Sequence, residues 1–265
     1  MKKITIGQYY PTDSPVHRLD ARVKLCGTIM YIILLLFANH FTGYVLAALF
    51  LALVIKTSKV PPSMFFRGLR AVIFILVFIS VSNLFLTSGG ETIFSFGFIS
   101  VTTDGVLLAS QMASRLVLLI SGSSILTLST SPIELTDGME FLLKPLKKVK
   151  VPAHEIAMMM TIALRFIPTL AEEMDKIIKA QKARGADFDT GGLIKRGKNL
   201  LPILVPLFIS AFKRADELAI AMEARCYRGD INRTKMKEMK MGPNDWLGVA
   251  VLLLYALFMF LTRLA

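Results

Sequence analysis

From Leu25 to Ile55 the chain runs through 31 residues without an Asp, Glu, Lys or Arg. A helix that crosses the hydrocarbon core needs about 20 residues, so this run is long for one crossing and short for two. Charge decides between them. Arg18, Arg22 and Lys24 precede the run and Lys56 and Lys59 follow it. Basic flanks stay on the cytoplasmic side of a membrane, which puts both ends on one face. The run therefore reads as two short helices turning near Asn39 and His40.

Further apolar runs follow, each with a single arginine. Leu69 to Leu86 reads as a third crossing, and it leads into Thr87 to Gly105, which contains Glu91 and Asp104 but no Lys or Arg. That segment is expected outside, with Ile93 to Ile99 as a small hairpin on its strand-like composition and its glycine. A fourth crossing, Val106 to Leu128, carries Arg115 among Ser110, Ser114, Ser121, Ser123 and Ser124, a polar stripe expected to face protein. The readings open for it are a substrate path, or a helix-packing face with a snorkelling arginine; no intramembrane acid is available to pair with Arg115. The last crossing runs from Trp246 to Leu264.

With 54% hydrophobic residues and a mean hydropathy of +0.59, the chain is too apolar for a soluble domain of 265 residues. The net charge of +12 is first a topology signal. Nucleic acid is not expected as a partner, because the cations follow helix flanks and do not form a face interleaved with aromatics. Cys26 and Cys226 lie far apart with no CxxC pair, and His17, His40 and His154 are the remaining nitrogen ligands, so neither a disulfide framework nor a metal site is expected. The first 24 residues carry charges, two prolines and no apolar core, so a signal peptide is not expected and the N-terminus is expected in the cytoplasm.

From Ser131 to Asn244 the pattern changes, with 20 Lys plus Arg and 14 Asp plus Glu mixed into apolar periodicity. Val151 to Leu170 and Leu200 to Phe212 could form a membrane hairpin by length. Its loop would then place Lys176, Lys179, Lys182, Arg184, Lys195, Arg196 and Lys198 outside, against the positive-inside rule. Both are read instead as long cytoplasmic helices. Ile156, Met159, Ala163, Ile167, Leu170, Met174 and Ile177 make one apolar stripe, and Leu204, Phe208, Ala211 and Ala215 make a second. The fold class is thus all-α, a polytopic membrane protein with about five transmembrane helices and a cytoplasmic domain of amphipathic helices. Its spans are 1–24 (N-terminal), 25–130 (four crossings), 131–244 (cytoplasmic) and 245–265 (last crossing).

The two amphipathic helices repeat. Registering Arg184 on Arg225 also aligns Ala183 with Ala224, Ala180 with Ala221, Ile177 with Leu218 and Asp175 with Asp216. Each stretch ends as Ala-Arg-small, Ala183-Arg184-Gly185 and Ala224-Arg225-Cys226, with Gly185 and Gly229 as expected helix stops. A lone arginine in a last turn is explained by the helix dipole. Two in matching contexts, on helices with surplus apolar surface, point to paired docking points. Met158, Met159 and Met160 are expected on that surface, since methionine adapts to several partners; packing inside the helix bundle is the other reading.

Other motifs carry no chemistry. Gly192 to Asn199 is one residue short of a P-loop but lacks a strand before it. Asn232-Arg233-Thr234 lies on the expected cytoplasmic side, so it is no glycosylation site. The acidic pairs Glu172-Glu173 and Asp216-Glu217 read as solvated partners of nearby cations. No catalytic triad can be assembled.

Tyr10 to Leu25, which contains Pro15-Val16-His17-Arg18-Leu19-Asp20-Ala21-Arg22-Val23-Lys24, together with the two Ala-Arg-small endings, resembles the transmembrane coupling component (T-component, EcfT) of energy-coupling factor transporters. Cys226 departs from the glycine common at its position. The resemblance covers the whole chain. It implies an ABC-type importer in a prokaryotic cell membrane, in which two cytoplasmic ATPases bind ATP and magnesium and a small membrane protein captures a vitamin or similar micronutrient. The T-component joins them, has no cofactor or catalytic residue of its own, and inserts Arg184 and Arg225 each into a groove on one ATPase. A self-sufficient substrate-binding permease is the alternative, supported by the polar fourth crossing.

Overall fold

The structure, a computed structural model, describes residues 9–38, 40–87, 89, 91–96, 99–186, 188, 192–229 and 241–264. Its contacts form two compact units, one of residues 7–142 with 237–265 and one centred on 143–236. Charge patterning placed the change of character at 131. The contact boundary falls later because the helix from Pro132 to Leu143 packs on the first unit.

In the first unit the long apolar run becomes α2 (Ala21–Leu36) and α3 (Phe41–Ser58), turning where expected. Asn39 lies outside the described residues. A short α1 (Pro15–Arg18) precedes them. Then come α4 (Pro62–Leu86), a hairpin of β1 (Thr92–Phe96) and β2 (Ile99–Thr102), α5 (Thr103–Ser129), α6 (Pro132–Leu143) and, after the second unit, α9 (Pro243–Leu264). The hairpin matches the expected one: Phe94 pairs with Val101 and Phe96 with Ile99, with a bulge beside Thr92. This pair of strands is a minor addition to a helical membrane protein. Length and apolarity qualify α3, α5 and α9 as membrane spans, and α4 as a fourth if its segments, bent by 61° at the break after Arg70, count as one. The expected fifth, α2, has only 16 residues.

The reason for that shortness lies in α5. The two helices run antiparallel, with Lys24 Nζ donating to the Ser129 carbonyl at 3.0 Å and Arg115 Nη2 donating to the Ala38 carbonyl at 2.9 Å. The turn after α2 therefore meets α5 at Arg115, twelve residues from Thr103, and α5 continues for roughly 18 Å beyond it. Phe37 and Phe41 flank the turn and are 58% and 77% exposed, as suits contact with lipid. Backbone carbonyls inside a bilayer must find donors within the protein. Arg115 supplies one, and the Tyr44 hydroxyl, itself accepting from Arg115 at 2.7 Å, donates to the same carbonyl at 3.0 Å. Arg115 thus lies inward as a clamp and does not snorkel.

The serines of α5 do not form the expected single stripe facing protein. Ser121 is buried, whereas Ser110, Ser114 and Ser123 are exposed. Ser110, Ser123 and Ser124 donate to carbonyls of their own helix, which removes the cost of a bare hydroxyl in lipid.

The N-terminal motif is a tie between helix ends. Ser14 caps α1 and holds His17 Nδ1 at 2.7 Å, while His17 Nε2 donates to the Tyr10 carbonyl at 3.0 Å. Lys24 also donates to the His17 carbonyl at 2.8 Å. Asp20 caps α2 through the Arg22 N–H, and its own N–H donates to Asp245 Oδ1 at 2.7 Å at the start of α9. The Arg18–Asp13 ion pair, 2.7 Å, is exposed and contributes little. α6 lies over the start of α2, with the Arg22 guanidinium 4.7 Å from the centre of the Phe141 ring.

The second unit is built on α7 (Ala153–Ala183), reached through a 3-10 turn at Lys144–Val149, and α8 (Leu193–Ala224). Each reading of two shorter amphipathic stretches is thus part of one longer helix that continues through Pro168, or through Pro202 and Pro206. Pro206 has no N–H for the carbonyl of Pro202 four residues earlier. Gln181 Nε2 from α7 donates to that carbonyl at 3.4 Å.

Candidate functional site

The ends of α7 and α8 are the same structure. In α7 the helix stops at Ala183, Arg184 is the half-helical cap, and Gly185 turns left-handed at φ +85°. The Ala186 N–H reaches back to the Gln181 carbonyl at 3.0 Å and the Gly185 N–H to the Lys182 carbonyl at 3.0 Å. In α8 Arg225 is the cap and Cys226 is left-handed at φ +55°. There Tyr227 N–H bonds the Met222 carbonyl at 3.0 Å and Cys226 N–H the Glu223 carbonyl at 2.9 Å. Both are Schellman endings in identical register. The stop of the second helix is therefore Cys226 and not Gly229 as its sequence suggested. Ala183, Arg184, Gly185, Ala224, Arg225 and Cys226 are all exposed. Neither guanidinium has a side-chain partner among the described residues.

A left-handed backbone is costly for any residue with a Cβ, by roughly 1–2 kcal/mol. Gly185→Val is expected to lower the thermal stability of the purified chain, whereas Cys226→Gly should be neutral or stabilising by up to about 1 kcal/mol. Thermal melts followed by circular dichroism separate the two. A fall for Cys226→Gly as well would mean that the Cys226 side chain makes contacts worth more than its backbone strain.

Where the helices cross, Ser210 Oγ donates to Glu173 Oε1 at 2.5 Å and Arg214 Nη2 to Glu173 Oε2 at 3.1 Å. The Ser210 bond, with the Arg214 cation behind it, holds the Glu173 carboxyl below the ordinary carboxylate range. Glu173 is thus an interhelix acceptor and not the solvated partner of its own helix that the acidic pair suggested. The repeat contains the signal that would have found it: the offset of 41 that carries Arg184 onto Arg225 also carries Glu173 onto Arg214. The helices therefore meet at equivalent positions. Contacts pairing 181 with 202 and 173 with 210 and 214 show that they run antiparallel. From crossing to tip each arm is 11 residues long (184 − 173 and 225 − 214), or roughly 16 Å. The two arginines stand at equal distances from a local two-fold, up to roughly 33 Å apart.

Both apolar stripes face outward. Met159, Ile167 and Met174 on α7 and Leu204, Phe208, Ile209 and Phe212 on α8 are exposed. Met158 and Met160 are half-buried, so only Met159 of the three stands fully on the open face. The P-loop look-alike forms the first two turns of α8 and exposes Lys198. Among the described residues no cluster of His, Cys, Asp and Glu could hold a metal.

Residues 12–236 match the family described as cobalt transport protein. The energy-coupling factor transporter transmembrane protein EcfT of Clostridium kluyveri is 52% identical over 100% of this chain and 98% of its own length. The chain belongs to this energy-coupling factor transmembrane family. Relatives with the same description are 53% identical in Thermosediminibacter oceani, over 92% of each chain, and 46% identical in Bacillus subtilis, over 99% of each. Membership makes it a transmembrane component of a transporter. In the setting of that family, the paired Schellman arginines are a candidate partner contact, and the N-terminal motif is the tie that orders the membrane helices.

Proposed function

We propose that the chain couples two cytoplasmic ABC-type ATPases, which bind ATP and magnesium, to a small substrate-capture membrane protein in uptake of a vitamin or similar micronutrient. Ala183-Arg184-Gly185 and Ala224-Arg225-Cys226 each enter a groove on one ATPase. The observation that carries this reading is the two-fold relation of the tips: equal arms and identical caps suit a partner that is itself a symmetric pair. A guanidinium on a rigid cap offers a planar fork of donors for a carboxylate. Two packed helices joined by a polar crossing can pass a rigid-body movement to their exposed apolar faces, where Met158, Met159 and Met160 would meet the capture protein. The permease alternative is weakened by α5, whose arginine and three of whose serines are already bonded within the protein.

Purifying the chain from its native membrane should bring down two ATPase chains and a small membrane protein. Recovery of the chain alone, with substrate transport by it in vesicles, would favour the permease. In topology, the charge pattern supports a cytoplasmic N-terminus and a cytoplasmic second unit. A cysteine at Ser88 should react with an impermeant reagent in sealed cells and one at Lys195 should not; the reverse would overturn the assignment. Lys198→Ala is expected to leave uptake near wild type, and a loss as large as that from a disabled ATPase would reveal a phosphate site.

A further inference from the structure

The first unit contains a cavity of about 370 Å³ that the coupling role does not use. Its polar lining lies at one end. Lys24 bonds the Ser129 carbonyl, Tyr31 stacking on Phe50 sets a register that brings Thr57 level with Lys24, and Asp20 bonding Asp245 sets Asn244 close to that level. One turn deeper Thr28 donates to the Lys24 carbonyl of its own helix, and the remaining walls up to the aromatic end are aliphatic side chains and glycines. The far end is closed by stacked Tyr31, Phe50 and Tyr255, with the last two 4.3 Å apart between ring centres. From Lys24 to Tyr31 the depth is seven residues, roughly 10 Å. Leu53 and Thr57 of α3 and Leu247 of α9 are exposed while Val23 and Ile125 behind them are buried, so the cavity opens sideways between α3 and α9.

The charges at the polar end favour an anion. Lys56 in the last turn of α3 and Lys59 at its cap are exposed. Lys24 is occupied by two carbonyls. Of the acids there, Asp245 is buried and accepts from the N–H groups of Asp20 and Gly242, Asp20 caps α2, Asp13 is engaged by Arg18, and Glu134 accepts from the Ser131 N–H. We infer that this slot holds one acyl chain of an anionic phospholipid, with its phosphate against Lys56 and Lys59. Apolar walls offer water too few partners, and the order of polar mouth and apolar depth is that of a lipid. A partner helix fits poorly, because the aromatic stack stops it after two turns, whereas an acyl chain can bend out between α3 and α9.

The test is native mass spectrometry of the purified full-length chain with equal amounts of phosphatidylglycerol and phosphatidylcholine of the same acyl chains. One retained lipid is expected, with phosphatidylglycerol favoured about twenty-five-fold if each lysine contributes about fivefold. Val54→Trp, filling the wall, should reduce retention at least about tenfold. Lys56→Gln with Lys59→Gln should bring the two lipids near parity. Equal retention of both lipids by the unaltered chain, or unchanged retention in a folded Val54→Trp chain, would overturn the inference. Should Val54→Trp not fold, the exposed lysine pair decides it, and unchanged selectivity there refutes it. A cysteine at Thr57 that cross-links to a membrane protein in the intact complex would show that a protein, not a lipid, occupies the slot.

Discussion

Replacing Arg184 and Arg225 together by alanine is expected to release both ATPases from the membrane component and to abolish uptake, with the membrane helices intact. Each arginine is held on an exposed Schellman cap and has no side-chain partner among the described residues, so its fork of donors suits a contact with another protein. If it is buried against an acid there, each truncation should cost roughly 2–5 kcal/mol of association, much of it from leaving that acid unpaired. A rim contact would cost less than about 1 kcal/mol. Single substitutions should therefore weaken co-purification and the double should end it. Lysine keeps the charge but loses the planar fork, so it should rescue only in part. Stoichiometric retention of both ATPases by the double variant would mean that the arginines only finish their helices.

Arg115→Met is expected to destabilise the membrane unit by roughly 2–4 kcal/mol, with most of the effect at the turn between α2 and α3. The Ala38 carbonyl loses a charged donor, and hydrogen bonds to charged groups are worth about 1.5–3 kcal/mol. The Tyr44 hydroxyl loses its donor as well. The checks are the melting of the purified chain and the accessibility of a cysteine placed at Phe41. In the parent chain that cysteine should resist charged reagents because the turn lies in lipid, and in the Arg115→Met chain it should become more reactive as the turn loosens. An unchanged melt and unchanged reactivity would show that Arg115 serves something other than this turn.

How much of this was legible in the sequence depended on whether a feature is local. The apolar runs, the turn between α2 and α3 and the 41-residue repeat are written in consecutive residues, and the structure has them. The role of Arg115 was not legible, because its partners are a carbonyl and a hydroxyl some 70 to 80 positions earlier in the chain. The helix stop at Cys226 was hidden for a different reason: glycine is the residue that signals a left-handed turn, and here a cysteine adopts it. Glu173 looked solvated because its own helix holds cations nearby, whereas its strongest partners come from α8. The shortness of α2 was legible, because an apolar run of 31 residues is too short for two full crossings, but the groups on α5 and α3 that satisfy its end were not.

The most direct test of the coupling account is photo-cross-linking from the two caps in the assembled transporter. With a photoreactive amino acid in place of Ala183 or Ala224, each beside an arginine that remains intact, each position should cross-link to one ATPase chain. The two yields should be similar, because the arms are equivalent. Cross-links to lipid or solvent alone, or to the capture protein from both caps, would contradict the account.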